Sequence, residues 1–131
     1  MKIALIAHDS KKELMQNFCI AYRDILAKNE LFATGTTGRL IENATGLRVY
    51  KYLAGYLGGT EQICAQIEDN TFDLVIFLRE ANNPHINDVD PGHICKLCDI
   101  YNIPLATNAA TAELLIKAMD RGDLDWREMY Q

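Results

Sequence analysis

The fold class this sequence predicts is α/β: a parallel sheet of about five strands with helices on both faces, a Rossmann- or flavodoxin-like three-layer arrangement. Three observations point to it. Short runs rich in Ile, Val and Leu alternate with longer amphipathic segments. The runs are continuously apolar rather than alternating, as strands covered on both faces are. Nearly every Gly-rich or hydroxyl-rich stretch follows a run, where an open parallel sheet collects its ligand-binding loops.

The elements follow in order. Lys2 to His8 reads as the first strand, and residues 11–28 as an amphipathic helix. Leu31 to Thr34 is the second strand. A helix over 37–45 follows, closed by Gly46 as a C-terminal cap. Val49 to Leu53, Asp73 to Arg79 and Ile103 to Thr107 supply the remaining strands, with helices over 59–69, 90–101 and 109–121. Residues 122–131 form a polar and aromatic tail that can pack on its own core or on a neighbour. Nothing resembles a repeat, a low-complexity tract or a linker, so one domain over residues 1–131 is expected. A chain of this length buries roughly two-thirds of its unfolded surface without disulfide or metal staples.

Composition narrows the function classes. With 49% hydrophobic and 24% charged residues the chain is ordinary for a globular protein. A net charge of -5 argues against nucleic acid, whose backbone demands a basic face, but not against a small anion held by a local field. No stretch approaches the roughly eighteen apolar residues of a membrane span, and the N-terminus lacks a signal-peptide pattern, so a cytoplasmic protein is expected. Cys19, Cys64 and Cys98 sit in apolar helical contexts, which favours reduced, buried thiols over a metal or redox site at Cys95-Lys-Leu-Cys98.

The loops after the strands carry the candidate chemistry. Thr34-Gly35-Thr36-Thr37-Gly38 combines two glycines, which let a ligand approach the backbone, with hydroxyl donors and the amide-rich start of a helix; that suits an oxyanion. A capped turn without ligand, with Thr36 or Thr37 as the cap, is the plainer alternative. It is not a Walker loop, which needs Gly-x-x-x-x-Gly-Lys. His8 and Asp9 end the first strand, and Lys12 on the next helix turn points back toward the same edge, as phosphate contact or as solvent decoration. The long polar loop Glu80 to Asp90 offers carboxylates at Glu80, Asp88 and Asp90 for acid and base work.

Together Ile-Ala-His8-Asp9 with Lys12, Leu-Phe-Ala-Thr34-Gly35-Thr36-Thr37-Gly38, Ala-Thr-Gly46-Leu, Gly55-x-Leu-Gly58-Gly59 and Ile-Pro104-Leu-Ala-Thr107-Asn108-x-x-Thr111-Ala resemble the methylglyoxal synthase family over nearly the whole chain. The resemblance implies a lyase that turns dihydroxyacetone phosphate into methylglyoxal and inorganic phosphate, with no metal or organic cofactor, as a homohexamer. By position, Thr34, Gly35, Thr36 and Thr37 would hold the phosphate with Lys12. His8, Ala54 and Gly55 would line the substrate site, and Asp9 and Asp90 would be its acidic residues.

The departures matter as much. The family's base, an Asp after the Gly-Gly pair, is Thr60 here, and a threonine hydroxyl cannot take a carbon acid's proton near neutrality. The family's Ser-Gly-Pro reads Ala54-Gly55-Tyr56. Asn87 stands at the family's substrate-orienting His, with His85 two residues earlier as a substitute, and Glu80 stands at an Asp. Three readings follow: an active synthase using Glu61 or Asp90 as base, a phosphate-binding regulatory module like the related effector-binding domains of carbamoyl phosphate synthetase, or a lyase for another phosphorylated carbonyl compound.

Overall fold

The computed structural model describes residues 1–82 and 90–130. Five strands form one parallel sheet in the order β3-β2-β1-β4-β5. They are β1 (Lys2–Ala7), β2 (Glu30–Ala33), β3 (Val49–Lys51), β4 (Leu74–Leu78) and β5 (Leu105–Ala106), each within its predicted run except β2, which begins one residue earlier at Glu30. Among the described residues six α-helices lie between and after them: α1 (Lys12–Ala21), α2 (Arg23–Leu26), α3 (Gly35–Thr45), α4 (Gly59–Glu68), α5 (Pro91–Ile100) and α6 (Ala109–Asp120). No helix among the described residues is long and apolar enough to cross a membrane.

The continuous hydrophobicity of the strands is explained by two cores. Ile3, Leu5, Leu31, Leu74 and Ile76 face one side, against Met15 and Phe18 of α1, Ile41 of α3 and Ile116 of α6. Ala4, Ile6, Val75 and Phe77 face the other, against Ile63 and Ile67 of α4 and Ile94 and Leu97 of α5. Each strand therefore needs apolar side chains in both directions.

Two sequence expectations are corrected. The helix over 11–28 is two helices, because Tyr22 leaves the helical region at φ -109 and ψ 24. The helix over 37–45 begins two residues earlier, at Gly35, so the Gly-Thr-Thr-Gly stretch is its first turn rather than a loop before it. Gly46 does close α3 in the left-handed region, at φ 73. The tail packs on its own chain: a 3-10 helix (Asp125–Tyr130) buries Arg127, which donates to the Asn102 and Phe72 carbonyls and to Asn70 Oδ1, with Asp73 Oδ1 at 3.5 Å.

Candidate functional site

With β1 at the centre and β4 on its far side, the chain reverses its winding between these strands, and the crevice at their C-terminal ends is where such sheets bind ligands. His8 sits there, 3% exposed, its main-chain N–H donating to the Leu78 carbonyl at 3.0 Å. Its Nδ1 accepts the Glu80 N–H at 2.8 Å. That bond occupies the Nδ1 lone pair, so a neutral ring carries its proton on Nε2 and acts there as a donor. The Phe77 ring meets the imidazole edge-on at 5.1 Å and fixes its plane.

Lys12 opens α1 and turns back over the end of β1, as predicted: Nζ lies 3.2 Å from the Ala7 carbonyl and 3.0 Å from Asp9 Oδ1. Asp9 therefore shares its charge with Lys12 instead of capping a helix. Ser10 Oγ donates to Glu80 Oε2 at 3.0 Å, and Glu80 Oε1 accepts the Asn82 N–H at 3.0 Å. The ends of β1 and β4 are thus bound together through His8, Ser10 and Glu80.

On the other side of β1, the start of α3 leaves donors open. Thr34 is the N-cap and makes no side-chain cap bond; Thr36 and Thr37 lie inside the first turn, so neither caps the helix. The Gly35 N–H donates to the Leu53 carbonyl at 3.2 Å and that of Gly38 to the Thr34 carbonyl at 2.8 Å. The N–H groups of Thr36 and Thr37 find no acceptor among the described residues, as the first turn of a helix requires. Thr37 Oγ1 is buried and also unpartnered. A buried donor without an acceptor costs about 1–3 kcal/mol, which an anion accepting from these groups would recover.

The loop after β3 closes this cradle. A Cβ on Gly35 would stand 3.1 Å from the Tyr52 carbonyl oxygen and 3.5 Å from the Ala54 nitrogen, so glycine there lets the loop lie against α3. Glycine is compulsory at Gly59, where a Cβ would stand 1.9 Å from the Leu53 carbonyl oxygen. Gly58 precedes it at φ 109, and the Gly59 N–H donates to the Ala54 carbonyl at 3.1 Å. These contacts bring Thr60, the second residue of α4, beside Ala54 and Gly55. Its Oγ1 is buried with no hydrogen-bond partner. Glu61 is exposed on the same helix turn. The Glu42–Lys51 pair at 2.6 Å holds β3 to α3 below, and the Lys51 ammonium and the Val49 N–H keep the Glu42 carboxyl below its usual range.

The likeness of this arrangement to known proteins is one of family as well as fold. The model of the MGS-like domain matches residues 15–107. A methylglyoxal synthase of Caldicellulosiruptor saccharolyticus is 60% identical over 129 residues, covering 98% of this chain and 92% of that protein. The chain belongs to the methylglyoxal synthase family. A relative so named from Listeria welshimeri is 52% identical over 98% of this chain and 96% of its own length. The crystal structure of a methylglyoxal synthase from Elizabethkingia anophelis superposes with a TM-score of 0.85 at 36% identity, covering 88% of this chain and 76% of that one.

Within this family member, the structure places His8, Asp9 and Lys12 after the end of β1, Thr34 to Thr37 at the start of α3, Ala54 and Gly55 in the segment after β3, and Thr60 in the first turn of α4. Asp90 stands at the N-cap of α5, where its carboxylate accepts the Gly92 N–H at 3.0 Å, ahead of Pro91 at the first helical position. Asn108 likewise caps α6 through Thr111. The expectations placed on His85, Asn87 and Asp88 lie outside the described residues. The loop reading passes over Arg39, whose signal is its i, i+4 spacing from Gly35. The Cys19 and Cys98 thiols are buried, and burial pushes both up to about 12; Cys95 is half-buried. A cavity of about 370 Å³ lined by Asn70, Tyr101, Asn102, Trp126 and Arg127 lies at the other edge of the sheet and holds none of these residues.

Proposed function

We propose that this chain, acting as one domain over residues 1–131, binds dihydroxyacetone phosphate and eliminates phosphate from it to give methylglyoxal, without metal or organic cofactor. The observation that carries the proposal is the open cradle at the start of α3: two N–H groups without acceptors and a buried hydroxyl without a partner among the described residues. The amides of Thr36 and Thr37, with Thr34, Gly35, Ala54 and Gly55, take the phosphate oxygens. His8 donates from Nε2 to the substrate's carbonyl oxygen, whose charge grows as the neighbouring carbon loses its proton. The resulting enediolate then expels phosphate as the carbon–oxygen bond breaks.

The base is the open part of this reading. Thr60 has no carboxylate, Asp9 is paired with Lys12 and Asp90 caps a helix, which leaves Glu61 on the first turn of α4 as the nearest alternative in sequence. This same fact favours a second reading, a regulatory module that holds a phosphorylated metabolite and turns it over slowly or not at all. Assay of methylglyoxal and inorganic phosphate after incubation with dihydroxyacetone phosphate separates the two. Equimolar product establishes the lyase; phosphate binding without product establishes the module; the absence of both product and phosphate binding sinks the cradle. A homohexamer in the cytoplasm is the assembly and location the family resemblance implies, with sedimentation as its check.

A further inference from the structure

We propose that Arg39 is a second cationic grip on the phosphate, an assignment that rests on the cradle reading above. Its Nη1 lies 3.4 Å from the point where a Cβ on Gly35 would stand, a point also 3.5 Å from the Ala54 nitrogen. The guanidinium therefore occupies the seam between the first residue of α3 and the loop after β3, the two segments that form the cradle.

Charge argues the same way. Lys12 shares its ammonium with Asp9 at 3.0 Å, so that pair offers a dianion little net positive charge. Arg39 is exposed and makes no ion pair with a described carboxylate. Its side chain runs back along α3, as helical side chains do, and brings a cation to the positive end of the helix dipole. That placement is unfavourable in the empty protein and becomes favourable when an anion sits between the amides and the guanidinium. Arg is suited to such a position because its planar donors match two phosphate oxygens at once. It also restores a donor at a place where this chain has Ala54 and the family resemblance expects a serine hydroxyl.

The plain alternative is a solvated helix arginine. Calorimetric titration with inorganic phosphate distinguishes them, using the unsubstituted protein, Arg39→Gln and Arg39→Lys at low and physiological salt, with a urea midpoint for each. Arg39→Gln should weaken phosphate binding about tenfold and flatten its salt dependence while the midpoint stays in place, and Arg39→Lys should recover part of the loss. Equal affinity in Arg39→Gln and the unsubstituted protein overturns the role of Arg39 and leaves the cradle standing. If the unsubstituted protein binds no phosphate, the cradle reading itself fails, and this assignment with it. A lowered midpoint in Arg39→Gln, with no recovery in Arg39→Lys, assigns the residue to packing and also overturns the proposal.

Discussion

Thr60→Asp is the substitution that bears most directly on the chemistry. The Thr60 Oγ1 is buried and unpartnered, next to a loop held in place by the glycine contact with the Leu53 carbonyl. An aspartate there puts carboxylate oxygens one bond further into the same space. Two influences act on it. Its position in the first turn of α4 favours the anion by about 0.3–1 kcal/mol, whereas desolvation raises its pKa. The first keeps the carboxylate ionised, and the second makes it a stronger base, both of which suit proton abstraction from carbon. A positioned base contributes roughly 10²- to 10⁴-fold, which corresponds to about 3–5 kcal/mol of barrier. Turnover of dihydroxyacetone phosphate, followed as methylglyoxal formed, should therefore rise by at least two orders of magnitude, with phosphate affinity nearly unchanged. If phosphate still binds and turnover does not move, the surrounding site is not competent, and the assignment of His8 and the cradle to catalysis is refuted.

Other perturbations test the scaffold. Gly59→Ala forces a methyl to within 1.9 Å of a backbone carbonyl, so the loop carrying Ala54 and Gly55 must move; phosphate binding and turnover should both collapse, read by calorimetry and product assay. Arg127→Met leaves the buried Asp73 carboxylate without its cation and the Asn102 and Phe72 carbonyls without a donor, and should cost about 3–5 kcal/mol in urea unfolding. Cys19 and Cys98 keep their protons up to about 12 in the folded chain, while an unfolded thiol loses its own near 9.0. The unfolded state then binds fewer protons, so stability is full below pH 9 and falls between about pH 9 and 12, which thermal unfolding across that range will show. In the native protein a thiol reagent at pH 8 should modify Cys95 well before Cys19, Cys64 and Cys98.

The strands were legible because burial on both faces leaves an unbroken apolar run, and Leu74 to Leu78 is the clearest case. The cradle was legible because Gly and Thr concentrate at one sheet edge. Three features were not. The break at Tyr22 has no Gly or Pro to announce it; α1 and α2 part there under packing against the sheet. The start of α3 at Gly35 was hidden because glycine and threonine are poor helix formers, and the contact of Gly35 with the loop after β3 overrides that preference. The capping contact of Asp90 was the third, although the Pro91 that follows it at the first helical position is its local signal.

Local pattern thus determined which segments of this chain are strands and helices, where Gly and Thr gather at one sheet edge and that Thr60 stands where the family resemblance expects an Asp. Those properties depend on residue type and spacing within a few positions. Only the tertiary structure decided how charges are spent: Asp9 on Lys12, Glu80 on Ser10 beside His8, Arg127 of the tail on Asp73 and the Phe72 carbonyl, with Arg39 left beside Gly35. Such pairings join residues as many as 72 positions apart, and it is the sheet order, with β4 beside β1, that brings them together.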